Sequence, residues 1–242
     1  MKLEHLKKMD HIIKAAGTRK PDDVLEYMGY IYIDPGENIP GFIAKRKNTV
    51  YYGVNRQLTA AQYAFGSFHE AFHGICAHLD IPGFLQNGGH TDTFRNRHIV
   101  AKTEREANIG ASDVLIETKL FLEMTGYDSA DVRAYLNSVD SFEKAVDDYR
   151  RHYEIVVANG SSEERVQRMN AYQQELARMH EELQEQAQDL LNSGRCFSKE
   201  EIAREFGVPV MIIDYKYEAM KTRNYNVPSV ELPAFDKVFS GW

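Results

Sequence analysis

Hydrophobic and polar positions follow two different periods along this chain, and the change of period divides it into regions. Residues 1–28 read as helical, and Pro21-Asp22-Asp23 supplies a helix start, with proline in the first turn and acids facing the positive end of the helix dipole. From Gly29 the pattern turns to β-branched and aromatic runs. Tyr30-Ile31-Tyr32-Ile33 is closed by Asp34-Pro35-Gly36, Thr49 to Val54 ends at Asn55, and Phe42-Ile43-Ala44 lies between them. Residues 29–55 are therefore expected to form a small antiparallel sheet. Thr59 caps a proline-free segment, Ala60 to Leu79, rich in Ala, Phe and His, which reads as a buried helix. Residues 80–100 carry Pro82-Gly83 and Asn87-Gly88-Gly89 and read as a loop of about 20 residues, a length that goes with function or with disorder. A second buried helix is expected at about 102–123.

Beyond Gly126 two long amphipathic patterns follow. In the first, Val132, Leu136, Val139, Phe142, Val146, Tyr149, Tyr153 and Val156 recur at spacings of three and four, up to Asn159-Gly160. In the second, Ser161 and Glu164 suggest a capping box, and the stripe runs from Val166 through Leu176 and Leu183 to a stop at Gly194. Together they predict an antiparallel helical hairpin with arms of about 40–50 Å. The stripes suit packing of each arm on its sister, and the arms are also candidates for partner contact or dimerisation. Residues 197–213, with Ile202-Ala203, Gly207-Val208-Pro209 and Ile213, follow a helix-turn-helix-like pattern. Its second helix opens with Val210, Met211, Ile212 and Ile213, which suit packing or protein contact better than reading base edges. After Thr222 the tail, with Pro228, Pro233, Phe235, Phe239 and Trp242, reads as extended and aromatic. The expected division is 1–126, 127–195 and 196–242, in an α+β fold.

Composition narrows the function. The chain has 242 residues, 43% hydrophobic and 27% charged, which suits a folded globular protein with a real core. Lys and Arg number 29 against 36 Asp and Glu, a net charge of -7, so the surface repels phosphate backbones and nucleic-acid binding is not favoured. No apolar run of membrane-spanning length occurs, and the charged N-terminus does not resemble a secretory leader, so a cytoplasmic protein is expected. Cys76 and Cys196 stand far apart and read as two reduced thiols rather than a disulfide or a thiol zinc site.

The chemistry concentrates in His69-Glu70-Ala71-Phe72-His73. On a helix, histidines at i and i+4 share one face and can hold one Zn²⁺, while the adjacent Glu70 can reach a water and act as general base. A catalytic zinc needs a third protein ligand. The continuation HxxGxxH is excluded, because Cys76 occupies the glycine position and Leu79 the ligand position; His78 is one residue out of register and suits the core or a place behind the ligands. The following helix offers Glu104 and Glu106. Two residues apart is about 200° of helix, so only one of them can face the metal. The Ala107, Ala111 and Val114 stripe lies slightly nearer Glu104, but Ile109 and Ile116 apolar on the other side leave both open. His90, His98 or a tyrosine are candidates to stabilise an oxyanion.

These elements in this order resemble the ImmA/IrrE family of metallo-endopeptidases. The resemblance rests on the strand Tyr51-Tyr52-Gly53-Val54-Asn55, the HExxH helix, and Glu104-Arg105-Glu106-Ala107-Asn108 with Ala111 and Leu115-Ile116, and it covers about residues 20–118 and 197–221. It implies a zincin-like helical core against the small sheet, with zinc on His69, His73 and Glu106 and Glu70 as the base. It further implies a zinc endopeptidase that cleaves a helix-turn-helix transcriptional repressor, in regulation of phage, mobile-element, stress or defence genes. Two positions depart from the family pattern: Gly110 stands where an aromatic is usual, and Glu117-Thr118-Lys119 replaces a proline-containing stretch. The hairpin is an insertion that the pattern does not explain. The rival expectation is a helix-turn-helix regulator or repressor-binding protein with a structural or latent metal site; a closed four-ligand sphere would mark it, and it has no need of Glu70.

Overall fold

The computed structural model describes residues 1–81, 94–158, 162–227 and 230, with 94–100 and 156–158 described by their backbone alone. The remainder of the 80–100 loop with His90, the Asn159-Gly160 turn, Ser161 and most of the aromatic tail lie outside the described residues, as does the side chain of His98. The chain is α+β and mostly helical. Helices α1 (Leu3–Ala16) and α2 (Pro21–Tyr27) precede three strands, β1 (Ile31–Tyr32), β2 (Gly41–Arg46) and β3 (Thr49–Val54). Then come α3 (Ala60–Ile75), a 3₁₀ turn (His78–Asp80), α4 (Phe94–Leu115), α5 (Thr118–Met124), α6 (Ala130–Ala158), α7 (Glu163–Asn192), α8 (Lys199–Phe206) and α9 (Val210–Thr222).

The sheet is mixed, not antiparallel. Its order is β1-β3-β2, with β1 parallel to β3 and β2 antiparallel to it. The connections explain this: Lys47-Asn48 makes a two-residue hairpin between β2 and β3, with Lys47 at φ 54°, whereas residues 33–40 form a long link that lets the chain pass to the far edge. Pro35 and Pro40 in that link have no N–H with which to continue a ladder. The expected helix at 102–123 is instead α4, which begins at Phe94, and a separate α5 after a break at Ile116-Glu117. The N-cap of α7 is Ser162, one residue beyond the expected serine, and its hydroxyl accepts from the Arg165 N–H.

Two compact units form, one from Met1–Leu120 with Lys199–Val227 and one built on Phe121–Ser198. The first core gathers Leu6, Met9, Val24, Leu25, Tyr52, Phe68, Ala71, Phe72, Ala107, Ala111 and Val114. Helix α9 belongs to it because polar ties complement its packing on α4: Arg105 pairs with Glu218, Lys216 Nζ donates to Asp113 Oδ1 at 2.9 Å, and Arg223 reaches both Asp113 and Asp10. Lys199–Val227 is thus part of the first unit, whereas the sequence set 196–242 apart. In the second unit α6 and α7 bury Val132, Tyr135, Phe142, Val146 and Tyr149 against Leu176, Leu183, Ala187 and Leu190. Towards the far end the seal loosens, and Ile155, Val166 and Tyr172 are exposed.

Candidate metal centre

The site is laid down by α3. Its first turn is held by a reciprocal cap, in which Thr59 Oγ1 accepts from the Gln62 N–H and Gln62 Oε1 accepts from the Thr59 N–H. Phe68, Ala71, Phe72 and Ile75 then bury one face in the core, which fixes the rotation of the helix and hence the direction of His69, Glu70 and His73. Helix α4 lies close over α3 at Gly110, where a Cβ would stand 2.3 Å from the Phe72 ring. That contact explains why no aromatic side chain fits at position 110 of this chain.

Three side chains converge. His69 Nε2 and His73 Nε2 are 3.0 Å apart, and the two oxygens of Glu104 lie 3.1 Å from the first and 3.4 Å from the second. These groups are close enough to hold a metal ion. Glu106 is not among them. It points to the other side of α4, with Oε2 3.0 Å from His78 Nε2 and Oε1 3.4 Å from the amino group of Met1. The turn of about 200° between the two glutamates decides this: with α4 seated by Gly110, Ala107 and Ala111, it is Glu104 that comes over the histidine pair. Asn108, one helical turn after Glu104, puts Oδ1 2.8 Å from His69 Nδ1. The sequence reading named Asn108 only as part of the family-like motif and gave it no role at the site; the signal was the i, i+4 spacing of Glu104 and Asn108, which places both on one face of α4.

Helix α3 also ends earlier than its composition suggests. It stops at Ile75, and Ala77 adopts a left-handed conformation at φ 57° before the 3₁₀ turn. On a continuous helix His78 would face about 140° away from His73. The Ala77 turn instead brings His78 Nδ1 to 2.9 Å from His73 Nδ1.

Electrostatics follow from this packing. Burial pushes the Glu70 carboxyl up to about 7, against the pull of His69. Its Oε1 lies where a Cβ at Gly41 would come within 3.2 Å, so this carboxyl sits beside β2, an edge of the sheet. Burial lowers the His73 and His78 imidazoles, favouring their neutral, metal-competent forms. Burial opposes ionisation of Glu104, yet its bonds to His69 and His73 hold the carboxyl well below the usual range. For His69, burial is outweighed by Glu104 and Glu70, and its pKa is raised. Burial, aided by Glu106, pushes the Cys76 thiol up to about 12; its Sγ lies 3.3 Å from His5 Nδ1. Cys76, His78 and Glu106 form a second group of potential donors. Cys196 is buried, and neither cysteine is in a disulfide. Among the tyrosines of this unit, Tyr52 and Tyr63 donate to Asp22 and Tyr32 to the Val54 carbonyl.

The chain matches no protein-family model, no curated protein and no solved structure. Among the described residues no helix is long and apolar enough to cross a membrane.

Proposed function

We propose that the chain is a zinc-dependent endopeptidase, with zinc on His69, His73 and Glu104 and with Glu70 as general base. The observation that carries the proposal is the convergence of two imidazole nitrogens and one carboxylate beside a buried glutamate that is not one of the three donors. This donor set suits zinc in a catalytic site, where three protein ligands leave a position open. The zinc, when bound, supplies Lewis acidity that polarises a carbonyl and makes water a better nucleophile near neutral pH. Glu70, buried beside the three donors and not one of them, is placed to take a proton from water and return it to the leaving amine. Strand β2, beside Glu70 at the sheet edge, offers main-chain groups to an extended peptide.

The substrate class is protein. The resemblance to ImmA/IrrE peptidases and the acidic charge favour a helix-turn-helix repressor as partner over nucleic acid. In α9, Lys216 is buried and paired while Val210 and Met211 are exposed, so this helix suits packing and protein contact rather than groove reading.

The test is metal content by mass spectrometry together with proteolysis of helix-turn-helix repressors, a genomically adjacent one first where present. Wild type is expected to carry about one zinc per chain, as a three-ligand site would hold, and to cut the repressor. Glu104→Ala should lose the metal, Glu106→Ala should keep it at reduced affinity, and Glu70→Gln should keep the metal and lose cleavage. A wild-type chain without zinc, or zinc held equally by Glu104→Ala, overturns the reading.

A further inference from the structure

A second row of hydrogen bonds runs behind the His69, His73 and Glu104 cluster, and the hydrolysis proposed above does not use it. His73 Nδ1 lies 2.9 Å from His78 Nδ1, and His78 Nε2 lies 3.0 Å from Glu106 Oε2. Both imidazoles are buried, at 3% side-chain exposure. Two ring nitrogens this close must share one proton, because two lone pairs or two N–H groups would repel. The ionised carboxylate of Glu106 can only accept, so the proton on that side belongs to His78 Nε2. A neutral imidazole carries one proton, which leaves His78 Nδ1 as the acceptor. The shared proton then sits on His73 Nδ1, and the lone pair on His73 Nε2 faces His69 and Glu104.

We infer that Glu106 and His78 are positioning residues that lock His73 in the tautomer whose Nε2 binds the metal, and that Cys76, His78 and Glu106 do not form a second metal site while the first is filled. The inference rests on the reading of His69, His73 and Glu104 as a metal centre. A metal on His78 Nε2 would displace the proton there and drive it to Nδ1, against the N–H of His73. The same logic is repeated on the other ligand, where Asn108 Oδ1 accepts from His69 Nδ1. His78 reaches its place through the left-handed turn at Ala77.

The experiment uses the full chain with ¹⁵N-labelled histidine, with and without added zinc. Long-range ¹H–¹⁵N correlation spectra report each tautomer, mass spectrometry counts zinc, and competition with a chromophoric chelator gives affinity for wild type, His78→Leu, His78→Asn and Glu106→Gln. The expected spectra show His78 protonated on Nε2 and His73 on Nδ1, with one zinc per chain. His78→Leu should bind zinc about 10–100-fold more weakly, and His78→Asn, whose Oδ1 stands near the lost Nδ1, should recover most of that loss. Glu106→Gln keeps an acceptor for His78 and should lose less than His78→Leu. His78 protonated on Nδ1, two zinc ions per chain falling to one in His78→Asn, or a folded His78→Leu with unchanged affinity would each overturn the inference alone. If His78→Leu does not fold, the wild-type spectra and the His78→Asn affinity decide. No zinc on wild type overturns the metal reading and this inference with it.

Discussion

Asn108 shows how much a single amide decides at this site. Its Oδ1 accepts from His69 Nδ1 at 2.8 Å, which fixes both the ring plane and the nitrogen turned toward His73 and Glu104. Asn108→Leu keeps the size and removes the acceptor, so zinc affinity should fall about 10–100-fold in a chelator competition, while Asn108→Asp should retain it. The two glutamates of α4 make the complementary point. Glu104 and Glu106 have the same side chain two positions apart, yet one meets His69 and His73 and the other meets His78.

Among the elements, the seat of α4 against α3 is the critical contact, and it depends on a missing side chain. At Gly110 a Cβ would stand 2.3 Å from Phe72, a fully buried ring. Gly110→Ala should therefore cost about 1–3 kcal/mol of stability in urea titrations, and Phe72→Leu in the same chain should relieve part of the strain. The clasp between α4 and α9 adds a pH dependence. Burial disfavours the charge of Asp113, but Lys216 and Arg223 outweigh it and hold its carboxyl below the usual range. A carboxylate with a lowered folded-state pKa stabilises fully above its unfolded value of about 3.9 and loses that contribution as pH falls through the folded value. Asp113→Asn should thus be less stable at neutral pH, because the buried Lys216 ammonium loses its carboxylate counter-charge while Arg223 keeps Asp10, and should show a shallower acid limb in urea midpoints measured from pH 7 down to pH 3.

For the molecule as a whole, two separate cores imply two separable responses to ligand. All three proposed zinc donors belong to the first unit, so binding there should stabilise Met1–Leu120 and Lys199–Val227 by about 2.7 kcal/mol at a free zinc concentration of one hundred times Kd. Hydrogen exchange followed by mass spectrometry should show added protection in α3, α4 and α9 and none in α6 and α7. Equal protection of the hairpin would contradict independent units.

The elements were largely legible in the sequence because local signals specify them. The Thr59 cap, the alternation of β3, the HExxH spacing and the two apolar stripes each depend on residues within a few positions of one another. The α4 helix was misplaced at its start and divided at its end, and the sheet was given the wrong pairing for β1, because neither the break at Ile116-Glu117 nor the partner of a two-residue strand is marked locally. The choice between Glu104 and Glu106 was also hidden: α4 is apolar on more than one side, so its periodicity leaves the helix free to rotate. Only the approach of α4 at Gly110 fixes that rotation, and only the left-handed turn at Ala77 returns His78 to His73. The sequence by itself determined which residues are candidates to hold a metal; the tertiary structure decided which of them meet, since contacts such as His69 with Glu104 and His78 with Glu106 join separate elements through packing that no local pattern encodes.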